Sequence, residues 1–157
     1  MNVLDRRPAT NARDRLLTSL TAGSGITSYA ERVAVFLDIE TSLAHDELVD
    51  LAANQERWFD YHTAPGLQIS QVCRGPRHTG RECFVVRFVP GAQIPMHGHQ
   101  GDEWGFVLQG NLSDSRGFHN GPGDITHLTP ADTHRIWNPG PTVALAINII
   151  DKGYIWK

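Results

Sequence analysis

The stretch Gly91-Ala-Gln-Ile-Pro-Met-His97-Gly-His99-Gln-Gly-Asp-Glu103-Trp-Gly-Phe-Val-Leu-Gln-Gly110 decides how this chain folds. Two apolar runs, Gln93–Met96 and Trp104–Leu108, read as strands flanking a polar turn. His97 and His99 are two residues apart. On an extended chain, residues i and i+2 share a face, so both imidazoles enter one cavity. Gly98 between them is expected to let the backbone pass closely. Gln100-Gly101 offers the turn, and Glu103 stands at the head of the second strand.

Strand signals continue on both sides. Leu67, Ile69, Gln71 and Cys73 alternate with more polar neighbours, and a polar loop follows from Arg74 to Arg81. Further runs lie at Cys83–Val89, Ile125–Thr129 and Val143–Ile150. Between them stand Pro90-Gly91, Gly110-Asn111, Gly121-Pro122-Gly123 and Pro139-Gly140-Pro141. Short strands with regular turn punctuation predict an antiparallel sandwich or barrel. The first 60 or so residues read as helix instead. Thr10 or Asn11 is placed to cap a helix carrying Leu16, Leu17 and Leu20. Ser28 with Glu31 has the spacing of a capping box, ahead of Tyr29, Val33, Phe36 and Leu37 at helical intervals. Ser42 is a start for a third helix, with Leu48, Leu51, Ala52 and Gln55 on one face. Residues 1–62 are therefore expected to form a helical cover on a β-barrel of residues 63–157, the two making one structural unit.

The chain has 157 residues and 40% hydrophobic content, enough for a single domain with a real core. A net charge of −3 gives no reason to expect nucleic acid or an anionic membrane as partner. Two cysteines, Cys73 and Cys83, make no disulfide framework, and residues 1–10 hold no apolar stretch fit for a signal peptide or a span. A cytoplasmic location is expected. Of the eight histidines, five fall between His97 and His134, which concentrates ligand chemistry in the strand region. His134 follows the Gly121–Gly123 turn and is the fourth candidate ligand. Three neutral imidazoles and a carboxylate suit one divalent first-row metal.

The quoted stretch resembles the first motif of the cupin superfamily in every spacing: Gly91, five residues, His97-x-His99, three residues, Glu103, six residues, Gly110. The second cupin motif is matched in part. Gly123, His134 and Asn138 are in register, while Thr129 and Ala131 stand where the motif has Pro and Gly. The resemblance implies a mainly β fold, an antiparallel jelly-roll barrel with an N-terminal helical segment. It implies His97, His99, Glu103 and His134 as metal ligands, with Fe(II) favoured and Zn, Mn or Ni as the other choices. Glu103 either ligates or swings away to hydrogen-bond, leaving a three-His site.

Other residues carry open readings. His127 is either an acid/base group beside the metal or a solvent-facing histidine. Arg87, in the apolar run Phe84–Val89, is either a substrate-carboxylate binder or an outer-face arginine paired with a carboxylate of the helical cover. Phe106 and Trp137 line the cavity or fill core. The cupin resemblance admits many chemistries. The favoured one is a dioxygenase-like oxygenase acting on a small substrate that chelates the metal through oxygen, such as a β-dicarbonyl, hydroxy acid or phenol. The alternatives are a non-oxidative lyase, isomerase, dehydratase or cyclase, or a sensing module, since the layout also resembles that of zinc-dependent anti-sigma factors of the ChrR type. Residues 1–60 hold no Cys and one His, His45, which argues against a zinc site of the anti-sigma type there. A homodimer is expected, and Tyr154-Ile155-Trp156 reads as an apolar tail that docks on its own barrel or on a partner subunit.

Overall fold

The computed structural model describes residues 25–62 and 64–157. The helix expected around Leu16, Leu17 and Leu20 lies outside them. Two helices come first: α1 (Ala30–Leu37), entered through a 3-10 turn at Ile26–Tyr29, and α2 (Thr41–Ala53). Their apolar intervals hold. Val33, Leu37, Ala44, Leu48 and Leu51 are buried. The capping box does not form: the Ser28 hydroxyl donates to the Gly25 carbonyl at 2.5 Å, and Tyr29 occupies the N-cap position without a side-chain bond. The 3-10 turn instead bonds the Ser28 N–H to the Gly25 carbonyl and the Ala30 N–H to the Thr27 carbonyl. α1 ends at Asp38, a non-glycine residue with φ +60, whose carboxylate takes the Arg77 Nε–H at 2.7 Å and backbone N–H at 2.9 Å.

Eleven strands follow among the described residues: β1 (Phe59–Asp60), β2 (Leu67–Gln71), β3 (Glu82–Phe88), β4 (Gln93–His99), β5 (Glu103–Gln109), β6 (Leu112–Asp114), β7 (His119–Asn120), β8 (Ile125–Leu128), β9 (Thr133–Trp137), β10 (Ala144–Ile150) and β11 (Tyr154–Trp156). One sheet runs β1-β2-β3-β10-β5-β8 and the other β11-β4-β9-β6-β7, every pairing antiparallel. This is the antiparallel, mainly β architecture that the turn punctuation predicts and the jelly roll that the cupin resemblance implies. The backbone ladders leave two sheets rather than one closed barrel.

The layers explain the strand sequences. β10 is buried at every position because its two faces meet different cores. Ala144 and Ala146 pack between the sheets with Val86, Phe88 and Leu112. Leu145, Ile147 and Ile149 pack against the helices with Val33, Leu37 and Leu48. A strand covered on both sides loses polar alternation, and the small alanines leave room on the inner face. β11, read in the sequence as a tail, is a strand of this chain's own second sheet, with Tyr154 opposite His99 and Trp156 opposite His97.

Candidate metal centre

The site sits between the sheets. β4 and β9 run antiparallel with His97 directly opposite His134. Ring centroids are 4.6 Å apart for His97 and His134, 5.1 Å for His97 and His99, and 5.2 Å for His99 and His134. One ligand atom from each ring lies within 4.8 Å of the others. Glu103 comes from β5 in the facing sheet, and its Oε2 is 3.1 Å from His99 Nε2. All four side chains are buried.

A local irregularity aims the first histidine. Ile94 and His97, three residues apart, both line the interior cavity. A regular strand would point them to opposite faces. The β4–β9 register shifts between them, at Pro95-Met96, and this bulge re-phases the strand. The Pro95 carbonyl then receives the His97 Nδ1–H at 2.7 Å. Gly98 plays a smaller part than expected. A Cβ there would meet its nearest atom, Thr133 Oγ1, at an ordinary 3.5 Å, so no close approach demands glycine.

The outer nitrogens of His97 and His99 are held by backbone carbonyls, that of His134 only faces a carboxylate, and the inner ones are left free. His99 Nδ1 faces the Asp132 carbonyl at 3.2 Å. His134 Nδ1 lies 3.5 Å from Asp114 Oδ2, a contact longer than a good hydrogen bond. These neighbours favour the proton on Nδ1, which turns the Nε2 lone pairs inward. His99 Nε2 and Glu103 Oε2 are buried with no partner but each other, and both ring nitrogens of His134 are buried without a hydrogen bond. Buried polar atoms without partners are costly. Several converging lone pairs and a carboxylate oxygen are what one shared cation relieves, and three imidazoles with one carboxylate match the donors of a divalent first-row metal. The residues fit the ion that the sequence motif implies.

Electrostatics leave two of the three rings neutral. Burial lowers the His134 pKa to about 4, and burial also lowers that of His97. Both are neutral at pH 7, as ligands must be. Burial pulls His99 in the same direction, but the Glu103 carboxylate and Asp132 outweigh it and its pKa is raised.

The departures from the second motif are made good by Asp132. Its carboxylate accepts from the Thr129 backbone N–H at 2.7 Å and hydroxyl at 3.0 Å, and its own N–H reaches the Thr129 carbonyl. That side-chain-closed turn stands in for the motif's Pro and Gly. Arg116 then ties Asp132 to Asp114, bonding both carboxylates. Asn138, the in-register Asn, donates to the Phe88 and Thr142 carbonyls and so joins the sheets.

Beside the ligands lies a cavity of about 30 Å3. A single water needs roughly 10–15 Å3 by the same measure, so this is space for two or so small groups. Its wall mixes apolar Phe88, Leu112 and Leu128 with polar Asp114, Arg116 and Asn148. Tyr154 from β11 adds a group that sequence reading passed over. Its ring is 4.6 Å from that of His97, and its phenol neighbours the Glu103 carboxylate and the Asn148 amide. Burial and the Glu103 charge push that phenol well above its usual pKa. The strand period over 154–156, matching that of 97–99, was the available signal.

His127 does not join this group. It is exposed on the sheet's outer face, its ring stacked flat on Trp104 with centroids 5.1 Å apart, because it pairs with Trp104 rather than Glu103. Arg87 is also outside the cavity. Phe84, Val86 and Phe88 take the inner face of β3, which turns Arg87 toward the helices. Its Nη1 donates to Gln55 and Gln68 side-chain oxygens, so the expected carboxylate partner is replaced by neutral amides. Phe106 packs edge-on against Tyr29 and Phe36 in the helical layer, and Trp137 lies under Arg135.

Residues 46–145 match the ChrR cupin-like domain. The chain belongs to that family. No curated protein gives a sequence match. Among solved structures, the anti-sigma factor ChrR of Rhodobacter sphaeroides, in complex with SigE, is similar at TM-score 0.59 and 20% identity, over 79% of this chain and 67% of that one. KdgF from Halomonas sp. is similar at TM-score 0.52 and 24% identity, over 64% of this chain and 93% of that one. An RmlC-like cupin protein from Ralstonia eutropha is similar at TM-score 0.51 and 15% identity, and this chain spans 61% of its length. At these identities the likeness is one of fold. Among the described residues no helix is long and apolar enough to cross a membrane.

Proposed function

We propose that this protein is a metal-dependent cupin enzyme acting on a small organic molecule that chelates the ion through oxygen. The observation that carries the reading is the set of buried Nε2 and carboxylate lone pairs without partners, facing a cavity of mixed lining. A bound divalent ion, Fe(II) by preference and Zn, Mn or Ni otherwise, supplies Lewis acidity and, as iron, redox chemistry with dioxygen. His97, His99, His134 and Glu103 would hold it. The Pro95 and Asp132 carbonyls fix the His97 and His99 ring orientations from behind, and the Asp114 carboxylate faces His134 Nδ1. Phe88, Leu112 and Leu128 exclude bulk water, and Asn148 and Arg116 offer donors that orient polar substrate atoms. With His127 and Arg87 facing away, the Tyr154 phenol beside Glu103 would hold a proton near the substrate. A dioxygenase-like oxygenation is the favoured reaction; a lyase, isomerase, dehydratase or cyclase reaction uses the same groups. The protein would act as a homodimer in the cytoplasm.

The test is metal analysis of protein purified without chelator, then oxygen uptake with iron restored, across β-dicarbonyl, hydroxy-acid and phenolic substrates. Uptake with any of them supports the oxygenase. Native zinc with no uptake under iron overturns it. A second reading, a regulatory module that senses a small ligand, is favoured by the family match and by the fold likeness to ChrR across 79% of the chain. Its readout is ligand-dependent capture of a sigma factor with no turnover.

A further inference from the structure

A second group of orphaned polar atoms lies away from the metal centre, between β3 and the helical layer. Arg87 is 2% exposed and Trp58 7%. The Arg87 guanidinium carbon stands 3.8 Å from the Trp58 ring centroid. Its Nη1 is spent on Gln68 Oε1 at 2.9 Å and Gln55 Oε1 at 3.3 Å. Four donors at the same place have no acceptor: Arg87 Nε, Arg87 Nη2, Gln55 Nε2 and Trp58 Nε1. Among the described residues no carboxylate pairs with Arg87.

We propose that the Arg87–Trp58–Gln55 cluster is a binding site for a monocarboxylate, separate from the metal centre. The free Nε and Nη2 hydrogens form the side-on fork of the guanidinium, which matches the two oxygens of a carboxylate. The indole and amide N–H groups add donors beside it, so every unfilled valence here calls for an acceptor. Charge selects the class. Gln55 and Gln68 are neutral, so the buried group carries one uncompensated positive charge. A monoanion cancels it, whereas a phosphate dianion would leave a buried negative charge. Gln55 and Gln68 are half-buried, and Gln55, whose amide nitrogen has no partner, is the side of the cluster nearest solvent that is free to turn. Desolvation draws the Arg87 pKa down to about 10, which still leaves it charged at pH 7.

Two sources share this chemistry: a free carboxylic acid, or Asp5 or Asp14, the acidic residues of the first 24. The experiment follows the Arg87 side-chain Nε–H resonance in 15N-arginine-labelled, chelator-treated full-length protein titrated with sodium acetate, against sodium chloride at equal ionic strength. Working on metal-free protein keeps the result independent of the proposed enzyme activity. The expected result is a saturable shift with acetate alone, weakened at least tenfold in affinity by Trp58→Phe, which keeps the ring and removes the indole donor. Arg87→Met should abolish acetate-dependent thermal stabilisation. If the wild type is silent but an Asp5→Asn/Asp14→Asn variant responds, the chain's own carboxylate is the occupant and the site stands. If neither protein responds to acetate, or chloride produces the same shift, the cluster is hydrated and the proposal fails.

Discussion

His99 Nε2 lies 3.1 Å from Glu103 Oε2, across the gap between the two sheets, and neither atom has another partner. The contact joins a strand of one sheet to a strand of the other through groups that both carry lone pairs. Glu103→Gln keeps the shape, removes the charge and leaves three imidazoles. The expected outcome is weaker but detectable metal binding, measured by competition with a chromogenic chelator. Undiminished affinity would show that Glu103 stands aside from the ion.

His134→Ala takes away the ligand opposite His97. The ring's pKa near 4 means that no protonation event at neutral pH confuses the comparison. Loss of a ligand should exceed the roughly 10–100-fold cost of losing an outer-shell partner. Metal content after purification should fall to background, with the circular dichroism spectrum unchanged. Full occupancy in this variant contradicts the site.

The outer groups can be tested one at a time. Asp114→Asn retains the Arg116 neighbourhood in size but weakens the hold on His134 Nδ1, and Tyr154→Phe deletes the phenol beside Glu103. Each should lower metal affinity by about 10–100-fold. Cobalt substitution gives a spectroscopic reading of the same change, because altered ligand geometry moves the d–d bands. Unchanged bands in both variants would confine the site to its four inner residues.

The anchoring of α2 on β2 predicts a pH dependence. Glu47 accepts from Arg57 and from the Cys73 backbone N–H, and Arg57 also bonds Ser70 and the Gln71 carbonyl. Burial raises the Glu47 pKa, but the Cys73 and Arg57 bonds outweigh it and hold it below its usual 4.5. A carboxylate with a lowered folded-state pKa binds fewer protons when folded. Its stabilisation is complete above the ordinary value and is lost as pH falls through the lowered one. Urea unfolding should show stability dropping below about pH 4.5, and Glu47→Gln should flatten that drop while costing about 1.5–3 kcal/mol at pH 7. A variant with the wild-type acid profile would refute the assignment.

The spacing of His97 and His99 made their shared face legible before the fold was known, because i, i+2 on a strand is a local fact. Turn residues placed most strand boundaries for the same reason. The bulge at Pro95-Met96 was not legible, since it is defined by the register against β9 and not by the strand itself. Which face His127 and Arg87 take depended on their partners Trp104 and Gln68, residues remote in sequence. β11 was read as a tail because a three-residue strand has too little pattern to announce itself. Asp132 was missed as the turn-former because its carboxylate replaces two backbone-restricting residues by hydrogen bonding.

The motif's two terminal glycines are held for different reasons, and substitution separates them. Both have positive φ, +79 at Gly91 and +71 at Gly110. A Cβ on Gly91 meets nothing within 4 Å, whereas one on Gly110 would stand 2.8 Å from Ala144 Cα and 2.9 Å from the Val143 carbonyl oxygen. Gly91→Ala therefore incurs backbone strain alone, of order 1–3 kcal/mol. Gly110→Ala adds a clash with the backbone entering β10, the strand at the centre of its sheet, which cannot retreat without opening the ladders to β3 and β5. For a chain of this size each kcal/mol moves Tm by roughly 2–4 °C. Gly91→Ala should melt a few degrees below the parent, and Gly110→Ala should melt lower still or fail to accumulate as folded protein. Equal melting temperatures would mean that β10 yields at Ala144, and that the close packing of Gly110 against it is not a constraint on the fold.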